Sequence, residues 1–358
     1  MHDIFSLRHH VEYEVQVILK SLLGLATLGI LCAQAAQAEK PGDLVARIQR
    51  AKTESTLDAG VKPWHMKLAV QLFDAKGTLQ DQGLIEEWWN SPTQDRRDYK
   101  TKAYAATEIR LGDKLYRTKG AGTPPYDLQL LHEQAVDPLL RDNTTPKTKP
   151  ELRKTSFGKV TLDCIMMSQP LNQVGEIPLG LFPTYCFDAG QDVLRATFDF
   201  GNEVVVRNSI ANFQGKFVAR HVDVMSHGTK AAASDVLLLE TEDAPSSSFQ
   251  PSGDLEEQHT QVANVAPAVV AGMVLSKVDP VYPNEAKHKG IDGRVLLHAV
   301  IGANGHIHSL EVISSPDPSL AMAAIAAVRQ WVYRPYMLLG VPTEVDTTIT
   351  VTYTMTRN

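Results

Sequence analysis

No stretch of this chain is apolar for long enough to span a bilayer: residues 21–31, the best candidate, reach about half of the ~20 residues a spanning helix needs. A basic excess is also missing, with 35 Lys and Arg against 41 Asp and Glu, so there is no electrostatic footprint for nucleic acid. Cysteine is scarce at three, too few for a small disulfide-built scaffold. Signals for catalysis and cofactors are absent as well. His132-Glu133-Gln134-Ala135-Val136 begins like a zinc-protease helix but lacks the second histidine, and Gly120-Ala121-Gly122 is followed by no third glycine. Arg96-Arg97 is flanked by Asp95 and Asp98, which cancels a phosphate-binding role. His306 and His308 flank a turn, where solvated polar residues are expected. The expectation is a chain with no enzymatic activity, no cofactor and no metal.

What is present begins with an export signal. Lys20 precedes the apolar run at 21–31, and Ala36-Gln37-Ala38 has the small-x-small form of a cleavage site. Residues 1–38 therefore read as a signal peptide cut before Glu39. Cys32 leaves with it, and Leu31 stands where a lipoprotein signal wants a small residue. Cys164 and Cys186 remain as an even pair on expected strands. In an oxidising compartment they join as a disulfide; the competing reading is two buried free thiols.

Residues 40–244 have the size of one domain. Pro41 opens a helical pattern with Leu44, Ile48, Ala51 and Ser55 on one face. After Pro63, alternation sets in at Met66, Leu68, Val70 and Leu72, and Asp74-Ala75-Lys76-Gly77 turns the chain. A second hairpin runs from Ile109-Arg110-Leu111 through Gly112-Asp113 to Lys114-Leu115-Tyr116. Later strands break at Ala189-Gly190, Gly201-Asn202 and Gln214-Gly215. Residues 120–149, with Pro124-Pro125 and Asp137-Pro138, read as a long excursion over one edge. The pattern predicts an antiparallel β-meander, one curved sheet with a helix on its concave side. In layout it resembles the LolA-type half-barrel, which implies a hollow for acyl chains. Trp88, Trp89, Phe198 and Phe213 either line such a hollow or fill an ordinary core.

Residues 245–272 carry Ser246-Ser247-Ser248 and three prolines, and read as a flexible linker. Residues 273–358 then form a small α+β unit. Val295, Leu297, Ala299 and Ile301 alternate with Leu296, His298 and Val300 as a strand, Asn304-Gly305 turns it, and a second strand covers 307–313. Asp317-Pro318 is an N-cap followed by a first-turn proline. Leu320, Ala323, Ala324, Ala327, Val328 and Trp331 make one helical stripe that Pro335 must end. The last strand sets Val345, Thr347, Ile349, Val351 and Tyr353 against a ladder at Thr348, Thr350, Thr352 and Thr354. The fold class is α+β throughout.

Three pieces occur in fixed order here: Asp279-Pro280-Val281-Tyr282-Pro283, Gly290-Ile291-Asp292-Gly293-Arg294-Val295, and Trp331-Val332-Tyr333-Arg334-Pro335. Together they resemble the C-terminal domain of the TonB family. That resemblance implies a periplasmic binding module that grips an outer-membrane receptor, or another envelope protein, by adding the partner's strand to its own last strand. Carried over by position, the partner contact falls on Pro280, Tyr282 and Pro283, and the strand-addition edge on Thr347, Thr348, Ile349, Thr350, Val351, Thr352 and Tyr353. The alternative for Pro280–Tyr282–Pro283 is that they fix the entry of the chain into the domain. Trp331, Tyr333 and Pro335 read as core and helix stop.

The family's transducers keep an inner-membrane helix that meets proton-driven motor proteins, so a retained N-terminal segment implies an anchored protein with those partners, and a cleaved one a free periplasmic protein. An exposed edge also permits a homodimer. Two functions follow: a partner-binding protein of TonB-dependent transport, or a carrier of lipid or another apolar ligand with the TonB-like domain as its docking module.

Overall fold

In the computed structural model the chain is described over residues 40–355, apart from 59, 140–147, 158–159, 170–176, 200–202 and 259–261. The expected signal peptide, Cys32 and the Gly201-Asn202 turn lie outside these residues. Among those described, no helix is long and apolar enough to cross a membrane.

The larger part opens with helix α1 (Pro41–Ser55) and strands β1 (Trp64–Phe73), β2 (Leu79–Ser91), β3 (Gln94–Thr101), β4 (Ala105–Leu111) and β5 (Lys114–Thr118). Helix α2 (Tyr126–Val136) follows. Then come β6 (Lys149–Phe157), β7 (Val160–Ser168), β8 (Thr184–Asp188), β9 (Leu194–Asp199), β10 (Glu203–Phe213), β11 (Lys216–Ser226) and β12 (Thr229–Thr241). Beyond it lie a 3-10 turn (Ser246–Phe249), β13 (Leu255–Gln258), β14 (Val262–Asn264) and α3 (Pro267–Ala271). The smaller part holds β15 (Val274–Ser276), α4 (Asn284–His288), β16 (Gly293–Ile301), β17 (Ile307–Ser314), α5 (Pro318–Val328), β18 (Val332–Tyr333), β19 (Tyr336–Leu338) and β20 (Val341–Tyr353).

The large sheet has thirteen strands in the order β13-β5-β4-β3-β2-β1-β12-β11-β10-β9-β8-β7-β6. It is an antiparallel meander in two runs, joined where β1 pairs with β12. Both helices pack against the sheet. Leu44, Ile48 and Ala51 of α1 bury against Ile165, Tyr185 and Phe187. Leu128, Leu131 and Ala135 of α2 bury against Met66, Leu68, Val222 and Val224. The second helix corrects the expectation of a loop over 120–149. Pro124-Pro125 and Asp137-Pro138 bracket a short helix, and its stripe at i, i+3 and i+7 was hidden between loop-forming residues. Trp89 stacks on Trp64 at 5.8 Å inside the core, whereas Trp88 lies on the opposite face of β2.

Cys164 and Cys186 stand opposite each other on β7 and β8 and are joined as a disulfide. Residues 245–272, expected as a flexible linker, are instead partly built into sheets. β13 extends the large sheet beside β5, and β14 lies parallel to β20. Apolar side chains that the sequence reading passed over anchor this segment, with Phe249 fully buried and Leu255 and Val270 nearly so.

The small sheet runs β14-β20-β16-β17, with α5 across one face. Asp317 caps α5, its carboxylate accepting from the Ser319 N–H at 2.8 Å, and Pro318 occupies the first turn, both as expected. Asn304-Gly305 makes the hairpin turn. Gly305 has φ +83°, and a Cβ there would sit 2.0 Å from the Tyr333 carbonyl oxygen, so both backbone and space demand glycine. The core of this domain continues into the large one through Met166, Leu181 and Phe182. Alongside, Arg329 at the end of α5 pairs with the fully buried Glu203, which also accepts from the Tyr126 hydroxyl at 3.0 Å.

Candidate partner-binding edge

β20 pairs with β16 without a break from Val345 to Tyr353. On its other side β14 takes residues 344–346, and among the described residues nothing pairs there with 348–353; β19 forms a hairpin with residues 341–343. The orientation of that free stretch follows from one bond: the Val265 N–H donates to the Asp346 carbonyl at 3.1 Å, so Asp346 presents its backbone toward β14. Backbone groups alternate sides along a strand. Hence Thr348, Thr350 and Thr352 turn their N–H and C=O groups to the open edge, while Thr347, Ile349 and Val351 serve the β16 ladder.

The side chains sort the other way. Thr347, Ile349, Val351 and Tyr353 are buried, and Thr350 and Thr352 are exposed. The Thr347 hydroxyl donates to the Val265 carbonyl at 2.9 Å, which tethers the preceding segment to the strand. The expected contact motif meets the far end of the same strand. Tyr282 lies edge-on to Tyr353 at 5.3 Å, and its hydroxyl donates to the Ile291 carbonyl at 2.6 Å. Tyr353 in turn donates to the Leu320 carbonyl at 3.2 Å. Pro280 and Pro283 are half-buried beside Tyr282, and Val281 between them is 79 % exposed. The fold therefore brings Tyr282, with Pro280 and Pro283 flanking it in sequence, to the Tyr353 end of β20. Trp331 and Tyr333 are buried, and the Trp331 indole donates to the Val278 carbonyl at 2.8 Å, consistent with their reading as core.

Two other hollows lie beside α2. One, of ≈ 60 Å³, lies between α2, the loop at 180–183 and β17, with Leu130, Phe182, Phe198 and Leu310 on its walls. The other, ≈ 260 Å³, is walled by charge. There Arg97 reaches Glu87 at 2.9 Å, His132 of α2 reaches Glu87 at 2.5 Å, Arg117 reaches Glu108 at 2.7 Å and Arg110 reaches Asp95 at 2.9 Å. Burial pushes the Glu87 carboxyl up, but Arg97 and His132 outweigh it and hold it at about 2. Burial raises the Asp95 carboxyl, with Arg97 opposing. The sequence reading missed this network because its members come from four strands and a helix it had not assigned.

The fold is thus an antiparallel β-meander followed by a small α+β domain whose sheet, among the described residues, is open along 348–353 of β20 and, at its other end, along β17. Residues 278–355 match the family model described as Gram-negative bacterial TonB protein C-terminal. A curated protein named Protein TonB, from Vibrio cholerae, is 34 % identical over 71 residues, covering 20 % of this chain and 29 % of that protein. The chain thus spans less than a third of that relative's length. Among solved structures, a LolA superfamily protein from Nitrosomonas europaea aligns with 60 % of this chain and 99 % of its own, at 10 % identity and a TM-score of 0.36. A putative outer membrane lipoprotein-sorting protein domain from Vibrio parahaemolyticus aligns with 59 % of this chain and 97 % of its own, at 11 % identity and a TM-score of 0.36.

Proposed function

We propose that this chain is a non-catalytic protein of the bacterial cell envelope that captures an outer-membrane receptor or another periplasmic protein by strand addition to β20. The observation that supports it is the edge at 348–353, unpaired among the described residues on a domain whose sequence matches the TonB C-terminal family. Main-chain bonds to Thr348, Thr350 and Thr352 supply affinity, and the corner at Pro280, Tyr282 and Pro283 supplies side-chain contacts at the end of the added strand. The test is a photo-cross-linker at the exposed Thr352 position in the cell, with and without Thr350→Pro. Proline removes an N–H that faces the edge and spares the β16 ladder. The expected result is a cross-linked envelope partner that disappears with Thr350→Pro while the disulfide-bearing sheet stays folded; an undiminished cross-link overturns strand addition. A cross-link to a second copy of the chain would identify the edge as a homodimer interface.

A carrier function for the half-barrel rests on the apolar hollow beside Phe182 and Phe198. At ≈ 60 Å³ it has room for a few waters only, so an acyl chain enters only if α2 or the small domain moves. Mass spectrometry of gently purified full chain decides this reading: bound acyl chains support it and a clean spectrum ends it. Coupling to inner-membrane motor proteins would run through residues 1–38. N-terminal sequencing of the envelope-derived chain separates an anchored form from one that begins at Glu39.

A further inference from the structure

On the outer face of the large sheet, away from both hollows, β1, β2 and β12 bring together His65, Glu86 and Glu240, with Glu242 just past the end of β12. Register places His65 opposite Glu240 on one side and Trp88 on the other. The Glu242 N–H donates to the Pro63 carbonyl at 3.1 Å, which holds Glu242 beside the start of β1. The imidazole is 7 % exposed and lies flat on Trp88, with ring centroids 4.6 Å apart.

Its two nitrogens meet different company. Nε2 is 3.1 Å from the Glu86 carboxylate, which Lys67 and Lys100 already balance at 3.0 and 3.1 Å. Nδ1 points the other way, 2.8 Å from Glu242 and 3.8 Å from Glu240. Among the described residues, no lysine or arginine pairs with either of these two carboxylates. Two negative charges therefore converge on one imidazole nitrogen at a point open to solvent on their side.

From this geometry we infer a binding site for one zinc-type divalent cation, held by His65 Nδ1 and the carboxylates of Glu240 and Glu242, with water completing the shell. The three ligand atoms lie within 4.8 Å of one another. A tetrahedral ion with bonds of ~2 Å sets its ligand atoms ~3.3 Å apart, and the separations of 2.8 and 3.8 Å from Nδ1 straddle that value. Glu86 supplies the outer partner that metal-binding histidines use: a carboxylate on the far ring nitrogen keeps the proton there and leaves Nδ1 its lone pair. One imidazole with carboxylates suits zinc, copper or nickel better than magnesium or calcium. The site joins the first strand of the sheet to the end of β12, where the chain leaves for β13 and the small domain, so a bound ion would clamp that exit.

The test is calorimetric titration of the full chain with Zn²⁺ alone, at neutral pH in a non-coordinating buffer. One saturable equivalent is expected that Glu240→Gln/Glu242→Gln weakens at least ~10-fold and His65→Ala removes. Glu86→Gln should weaken it by roughly 10–100-fold through the ring it orients. Glu240 is exposed and Glu242 half-buried at the end of the sheet, so circular dichroism of the double glutamine variant should match the parent and keep the comparison clean. As a second readout, Co²⁺ should quench Trp88 fluorescence in the parent and not in the double variant. No saturable uptake, or uptake that the glutamine pair and His65→Ala leave unchanged, overturns the site and leaves His65 hydrogen-bonded between Glu86 and Glu242.

Discussion

The two sheets end in different ways. The large one closes at β6, where Lys149, Pro150, Glu151, Arg153 and Lys154 line the last strand, and at β13, a strand of four residues with Glu256 and Glu257. Charge, proline and shortness are the devices by which proteins keep sheet edges from recruiting other chains. The small sheet does the opposite along 348–353: threonine outside, Ile349, Val351 and Tyr353 inside, and no charged residue or proline. An edge left bare beside edges so heavily guarded is what the proposed strand addition requires. The interiors differ in the same sense. The large sheet buries an ion-pair layer, whereas the small domain buries an almost wholly apolar core.

That contrast can be broken most severely from inside the large sheet. Arg97→Met leaves Glu87, Asp95 and Glu108 as neighbouring acids without their shared cation, and should cost about 3–5 kcal/mol, seen as a lowered urea midpoint. Opening the disulfide comes next. Cys164→Ala with Cys186→Ala frees a loop of 22 residues and should cost about 3 kcal/mol in the chain-entropy model; reductant should destabilise the parent and leave the double variant unchanged.

Acid sharpens the comparison further. Glu86, which burial pushes up but Lys100, Lys67 and His65 hold at about 2, and Glu87, also at about 2, both lie below an ordinary glutamate near 4.5. Their stabilising contribution is complete above about pH 4.5 and is lost as pH falls toward 2. Asp95, raised, opposes it, because its protonation favours the folded form. Thermal melts across that window should show a net loss of stability in the large sheet, with two glutamates against one aspartate; a flat profile would mean that the ion-pair layer is not formed. The smallest effect on stability is expected at the edge. Thr350→Lys on the exposed face should shift folding by under about 0.5 kcal/mol yet discourage strand pairing, read as lost cross-linking at unchanged melting temperature.

Local rules made the small domain legible. Asp317-Pro318, Asn304-Gly305 and the threonine alternation each act within a few residues, so period and turn chemistry name the element directly. The edge was legible as a strand, but the share of it taken by β14 was not, since a three-residue strand of Val262, Ala263 and Asn264 has no period to detect. In the large domain, α1 and the first hairpins followed the same local rules. The pairing of β1 with β12 did not, and it is this pairing that brings His65 to Glu240. Long-range register of this kind carries no local mark, and the outer-face cluster is invisible until the meander is assembled. The helix α2 fell between these cases: its apolar stripe is present, but Pro124-Pro125 at one end and Asp137-Pro138 at the other argue for a loop.

β14 also acts as a ruler. Because it fills β20 up to Asp346 and then turns away into α3, any guest strand must start beyond that stop and finish by Tyr353, a slot of roughly 20 Å at ~3.3 Å per residue. If strand addition holds, such a slot would admit a short linear motif and reject the broad face of a folded sheet. Selectivity of this kind is written in length as well as in side chains.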